Sequence, residues 1–206
     1  MSHPALDGIT LGGSRKVAAV SMFTALAIAT DYAMLPLANV KLMDSIVFIC
    51  ALTFGVSAGA SVAALTWLVY GTVNPLGPDS GPFLLLLIGS EMVYVAFGYL
   101  ARRMLSPDLS VPTRSLLWGS FGLIGAFLYD VNTILTPYLI LGQSLKVSLS
   151  EMLFAVPFML AHEVSDFVFF ATVAPVLYIA ARKVALRQDT GLVSRHSTGP
   201  LETEHV

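Results

Sequence analysis

The stretch LMDSIVFICALTFGVSAGASVAALTWLVYGTV, residues 42–73, decides how this chain folds. It stays mainly apolar for 32 residues. As a single helix rising 1.5 Å per residue it would be about 48 Å long, well beyond the ~30 Å hydrocarbon core of a bilayer. Its centre reads GVSAG, residues 55–59. Two glycines among small residues mark a natural break in a helix. The stretch is therefore read as two helices, Leu42–Phe54 and Ser57–Val73, the first of them short for a full crossing.

Working outward, Lys16–Leu35, Pro82–Leu105, Leu116–Leu141 and Glu151–Ala181 each supply the roughly 20 mainly apolar residues of a membrane span. The whole chain of 206 residues is 56% hydrophobic and 12% charged, whereas soluble domains carry about 25% charged residues. The expected fold is all-α: a polytopic protein of the cell membrane with a bundle of six transmembrane helices. Six helices bring Arg15, Lys16, Arg102, Arg103, Arg114, Arg182, Lys183, Arg187 and Arg195 to one end and leave Lys41 and Lys146 at the other. The excess of basic residues on the cytoplasmic side then places both termini in the cytoplasm. A five-span reading divides the same charges eight against three, so helix length weighs more here than charge. Residues 1–14 and 184–206 are read as disordered cytoplasmic tails by composition, flanking a domain at 15–183. The net charge of −2 suggests no nucleic-acid partner, and the lone Cys50 offers no disulfide. No cleavable signal peptide, internal repeat or GxxxxGK[ST] phosphate loop is evident, so ATP hydrolysis by this chain is not expected.

Ionisable residues inside a span are costly and mark function by default. Glu91 lies nine residues into its helix from the non-basic end, about 14 Å deep. Asp130 and His162 each lie about eleven residues in, roughly 16 Å. Three helices thus carry an ionisable group to one level, which ordinary helix-to-helix hydrogen bonding does not require. His162 and Asp166 share a face at i, i+4, and Tyr94 shares one with Glu91 at i, i+3. Glu163 and Asn132 point elsewhere. Asp31 sits near the outer end of the first span. Asp44 and Glu151 read as acids at helix N-termini, and Trp118, Tyr138 and Tyr178 as interfacial aromatics.

The segment HEVSD, residues 162–166, is the HExxH zinc pattern with its second histidine replaced by Asp166. Zinc enzymes normally use three protein ligands, and the remaining histidines, His3, His196 and His205, lie in the tails. A metal-dependent intramembrane hydrolase using His162, Glu163 and Asp166 is therefore the alternative reading. A stand-alone cation-coupled carrier is another. Neither a bound metal nor a cofactor is expected. Ser21, Ala25 and Ala29 repeat every four residues along the first helix, a small-residue face that lets helices approach closely.

In their order, these features resemble the substrate-binding S components of energy-coupling factor (ECF) vitamin transporters. The resemblance covers about residues 15–183. It rests on the small-residue first helix from Lys16 to Ala29, then LPLANVKLMDSIVF (35–48), similar to the family's Pro-x-x-Asn-Val-Lys passage. FGVSAGASVAALTWLVYG, NPLGPDSGP and PFMLAHEVSDFVFFATVAPVLYIAARK follow in the family's order. The resemblance implies a subunit without catalytic residues that captures a vitamin or related micronutrient in the outer half of the bundle. It implies as partners a transmembrane T subunit and two cytosolic ATPases, docked through the face of Ser21, Ala25 and Ala29. The implied substrate-binding residues are Asn39, Lys41, Glu91, Tyr94, Asp130, His162 and Asp166. Because acids outnumber bases among these, a ligand with amino or ring-nitrogen groups is expected, unless His162 already neutralises Asp166.

Overall fold

The computed structural model describes residues 9, 11–79, 81–106, 108–140, 142 and 144–196. Among them are six helices and no strand: α1 (Gly13–Met34), α2 (Met43–Phe54), α3 (Val56–Thr72), α4 (Gly81–Met104), α5 (Val111–Ile140) and α6 (Leu145–His196). Residues 1–8 and 197–206 of the expected tails lie outside the described residues.

The long apolar stretch is two helices, and the break is Gly55. Its φ of +96° suits glycine alone. Its amide closes α2 on the Ala51 carbonyl at 3.0 Å, while its own carbonyl accepts the Ala58 and Gly59 amides of α3. The short α2 is buried from Met43 to Thr53. Apolar on every face, it must be surrounded, and it packs against α1, α3, α4 and α6. Close approach makes this possible: a Cβ on Gly98 would stand 2.5 Å from the Phe48 carbonyl oxygen, so α4 reaches the α2 backbone only through glycine.

α5 and α6 form the most extensive helix pair, and α4 bridges α5 to α2 and α3. The inward side of α6 is a stripe of Met159, His162, Asp166, Phe170, Ala174, Tyr178 and Ala181, all buried at spacings of three or four. Three segments, Gly13–Met34, Gly81–Met104 and Leu145–Lys183, are long and apolar enough to cross a membrane.

Two helices begin earlier than hydropathy suggests. α5 starts at Val111 rather than Leu116 because Ser110 caps it, its Oγ accepting the Thr113 amide at 3.3 Å. Pro112 in the first turn removes a donor that no carbonyl could have satisfied. α6 starts at Leu145 behind Ser144, whose carbonyl accepts the Val147 and Ser148 amides. Glu151 is therefore in the second turn of α6, not at its N-terminus. α6 also continues past Ala181 to His196.

Two aromatic assignments are corrected. Trp118 is fully buried and Tyr178 nearly so, so neither is an interfacial belt residue. Their rings meet edge to face at 5.6 Å, and Trp118 also packs on Phe48. They fill the core between α2, α5 and α6.

Candidate functional site

The site lies at the end of the bundle away from the arginines of α4 and α5. Two connections shape it. The residues 35–42 leave α1 and enter α2 through Asn39, which adopts φ +57°, a left-handed conformation that asparagine tolerates better than most residues. Asn39 Nδ2 then donates to the Phe158 carbonyl of α6 at 3.0 Å, pinning this connection across the bundle. The residues 73–79 are held by the Tyr32 hydroxyl, which donates to the Val73 carbonyl, and by the Asp79 amide, which donates to the Gly71 carbonyl at 2.8 Å.

Beneath these connections are two cavities that share Asn39, Lys41, Phe83 and Leu87. One, of about 290 Å³, is walled by Asp31, Trp67, Tyr70, Asn74 and Asp79. The other, of about 340 Å³, reaches Tyr129, Asp130, Thr133 and Phe158 between α5 and α6. The Lys41 ammonium stands between them, 4.3 Å from the Trp67 ring centroid and 5.9 Å from that of Tyr129. Partial burial lifts the Asp79 carboxyl above its ordinary range, while the charge of Lys41 pulls it back.

Deeper in, His162 joins three helices. Its Nε2 lies 2.9 Å from Asp44 Oδ2 of α2 and its Nδ1 lies 3.0 Å from Asp130 Oδ1 of α5. An ionised carboxylate only accepts, so the ring must donate from both nitrogens unless one acid carries a proton. Asp166 Oδ2 is 3.9 Å from the same ring and accepts the Tyr94 hydroxyl at 2.8 Å. Glu91 Oε2 accepts the Trp67 indole N–H at 3.2 Å. Asp130 Oδ2, Asp166 Oδ1 and Glu91 Oε1 remain buried without a hydrogen bond. Three acids therefore surround one imidazole; Asp130 also lines the second cavity, and Glu91 lies behind the Trp67 wall of the first.

Of the seven residues expected at a binding site, Asn39, Lys41 and Asp130 line a cavity; Glu91, Tyr94, His162 and Asp166 are buried beneath and line neither of the two. Asp44 is in the first turn of α2 as expected, but its carboxylate serves His162, a role that the helix-terminus reading did not foresee. Asn132 points away from the Asp130–His162 contact, as expected, and its Nδ2 donates to Ser90 Oγ at 2.7 Å between α5 and α4. Trp67, Tyr70 and Asp79 were not anticipated, since a tryptophan and a tyrosine in an apolar helix carry no distinctive spacing. Asp44, His162 and Asp166 offer ligand atoms within 4.8 Å of one another, so a metal ion is geometrically possible there. Glu163, the would-be general base of HEVSD, lies outside this group and is half-buried on another face of α6. Ser21, Ala25 and Ala29 are exposed along the outer side of α1.

No family model, no curated protein and no solved structure matches the chain.

Proposed function

We propose that this protein is the substrate-capture subunit of an ATP-driven ECF-type micronutrient transporter, a multi-pass protein of the cell membrane with both termini in the cytoplasm. The observation that carries the reading is the pair of cavities at the end opposite the basic residues, covered by two short connections and lined by the acids Asp31, Asp79 and Asp130. Basic residues gather at the cytoplasmic end of membrane helices, so this pocket opens outward. A covered pocket of a few hundred cubic ångströms suits a small ligand. The exposed Ser21, Ala25 and Ala29 face supports docking of a T subunit, with two cytosolic ATPases supplying the energy. Glu163 is not among the acids that share ligand distance with His162, which speaks against the hydrolase reading.

Vesicle uptake separates this role from that of a stand-alone carrier. Vesicles holding the protein with its T subunit and ATPases should accumulate the released native ligand only with ATP inside the ATPase compartment. Accumulation by the protein alone, driven by an ion gradient, would replace the capture role with carrier function.

A further inference from the structure

The smaller cavity holds an acid that its own fold does not satisfy. Asp31 is 2% exposed and lines the cavity, yet neither carboxylate oxygen makes a hydrogen bond of ordinary geometry. The Met43 amide reaches it only in a weak hydrogen bond, and the Lys41 ammonium acts on it through charge alone. An ionised carboxylate taken out of water needs a counter-charge or donors.

The wall beside Asp31 is aromatic. Trp67 and Tyr70 meet edge to face at 6.0 Å, and Tyr70 meets Tyr32 at 5.6 Å. The Trp67 indole N–H is engaged by Glu91, and that hydrogen bond to a carboxylate enriches the ring face in electron density. Such a face attracts cations. The Lys41 ammonium already stands over it. Lining this cavity, Asp31 and Asp79 carry two acids against the one ammonium of Lys41. With both acids ionised, the lining is one positive charge short.

Resting on the capture role proposed above, we infer that this cavity takes a singly charged organic cation bearing a ring, with Asp31 as its counter-ion and Trp67 and Tyr70 as its aromatic platform, in the place over Trp67 that the Lys41 ammonium holds. The ligand's charge displaces Lys41 towards Asp130 and Tyr129 in the neighbouring cavity. Lys41 is then a tethered competitor for the ring, not a partner for an anionic ligand group. The two roles make opposite demands on one substitution.

The experiment uses the full chain in detergent with Trp118→Phe, which leaves Trp67 as the one tryptophan, since the sequence has two. Its fluorescence is titrated with phenethylammonium, phenethyl alcohol and phenylacetate, three probes of similar size and different charge. The cation should bind at least about tenfold more tightly than either of the others, the ratio expected of a cation–π contact plus a buried counter-ion. Lys41→Met should tighten the cation further, and Asp31→Asn should remove the preference among the three. Phenylacetate binding most tightly, Lys41→Met weakening the cation, or no probe saturating would each overturn the inference. The Lys41→Met arm decides the matter even if Asp31→Asn fails to fold. An anion preference together with ATP-dependent uptake would leave the capture role standing; a cation preference with no ATP-dependent uptake would remove the transport role instead.

Discussion

His162 Nε2 meets the Asp44 carboxylate at 2.9 Å, joining the last helix to the second across 118 residues of chain. Through its other nitrogen the same ring holds Asp130. The imidazole is thus the node at which α2, α5 and α6 share their charge. Removing one member of a buried charged group leaves the rest uncompensated, at a cost of about 3–5 kcal/mol. His162→Leu should therefore lower the thermal midpoint in detergent sharply. The triple change with Asp44→Asn and Asp130→Asn should recover much of the loss, because it removes the stranded charges. A His162→Leu protein as stable as the wild type would show that the contacts are not energetically coupled.

Tyr94 gives Asp166 its hydrogen bond at 2.8 Å, and both residues are fully buried. Tyr94→Phe keeps the ring and its packing but removes the donor. The expected destabilisation is about 1–3 kcal/mol, the cost of an acceptor left unmet. A denaturation curve coinciding with that of the wild type would place the Asp166 proton or charge elsewhere.

At Gly98 the constraint is steric. With a Cβ 2.5 Å from the Phe48 carbonyl oxygen and 2.8 Å from the Ala51 side chain, Gly98→Val must push α4 off α2. Overpacking of this kind costs roughly 1–3 kcal/mol or more. Thermal unfolding of the purified variant reads this directly, and an unchanged midpoint would mean that the two helices separate without penalty.

Asn39 ties the cover of the site to the Phe158 carbonyl. Asn39→Ala removes that tie and also leaves alanine in a left-handed conformation it disfavours. Ligand dissociation should accelerate several-fold while the overall fold survives. A dissociation rate equal to that of the wild type would show that residues 35–42 do not cover the ligand.

Ala25 is exposed on α1. Ala25→Trp should weaken co-purification with a T subunit and leave ligand affinity unchanged. Equal loss of both would mean that this face belongs to the interior of the assembled pocket.

The sequence carried most of the helical plan. Apolar runs and the GVSAG break placed six helices within a few residues, because helix length and glycine conformation are local properties. Starts at Val111 and Leu145 escaped hydropathy because serine caps extend a helix into polar chain. Depth along the helices put Glu91, Asp130 and His162 at one level; Asp130 and His162 do meet, whereas Glu91 pairs with Trp67. It could not say which acid pairs with which nitrogen. Asp44 looked like a helix-terminus acid because only the packing of α2 at the centre of the bundle turns its first residues towards α6. Trp67 and Tyr70 were silent for the same reason: only the connection between α1 and α2 brings Lys41 over Trp67 and closes the cavity that both rings line.

The most direct test is to purify the protein in detergent, denature it and identify the released small molecule by mass spectrometry. The expected result is a near-stoichiometric vitamin-like compound carrying a positive charge on a ring or amino group, lost in Asp31→Asn protein. A stoichiometric transition metal in place of any organic ligand would contradict it and return His162, Asp44 and Asp166 to the reading of a metal centre.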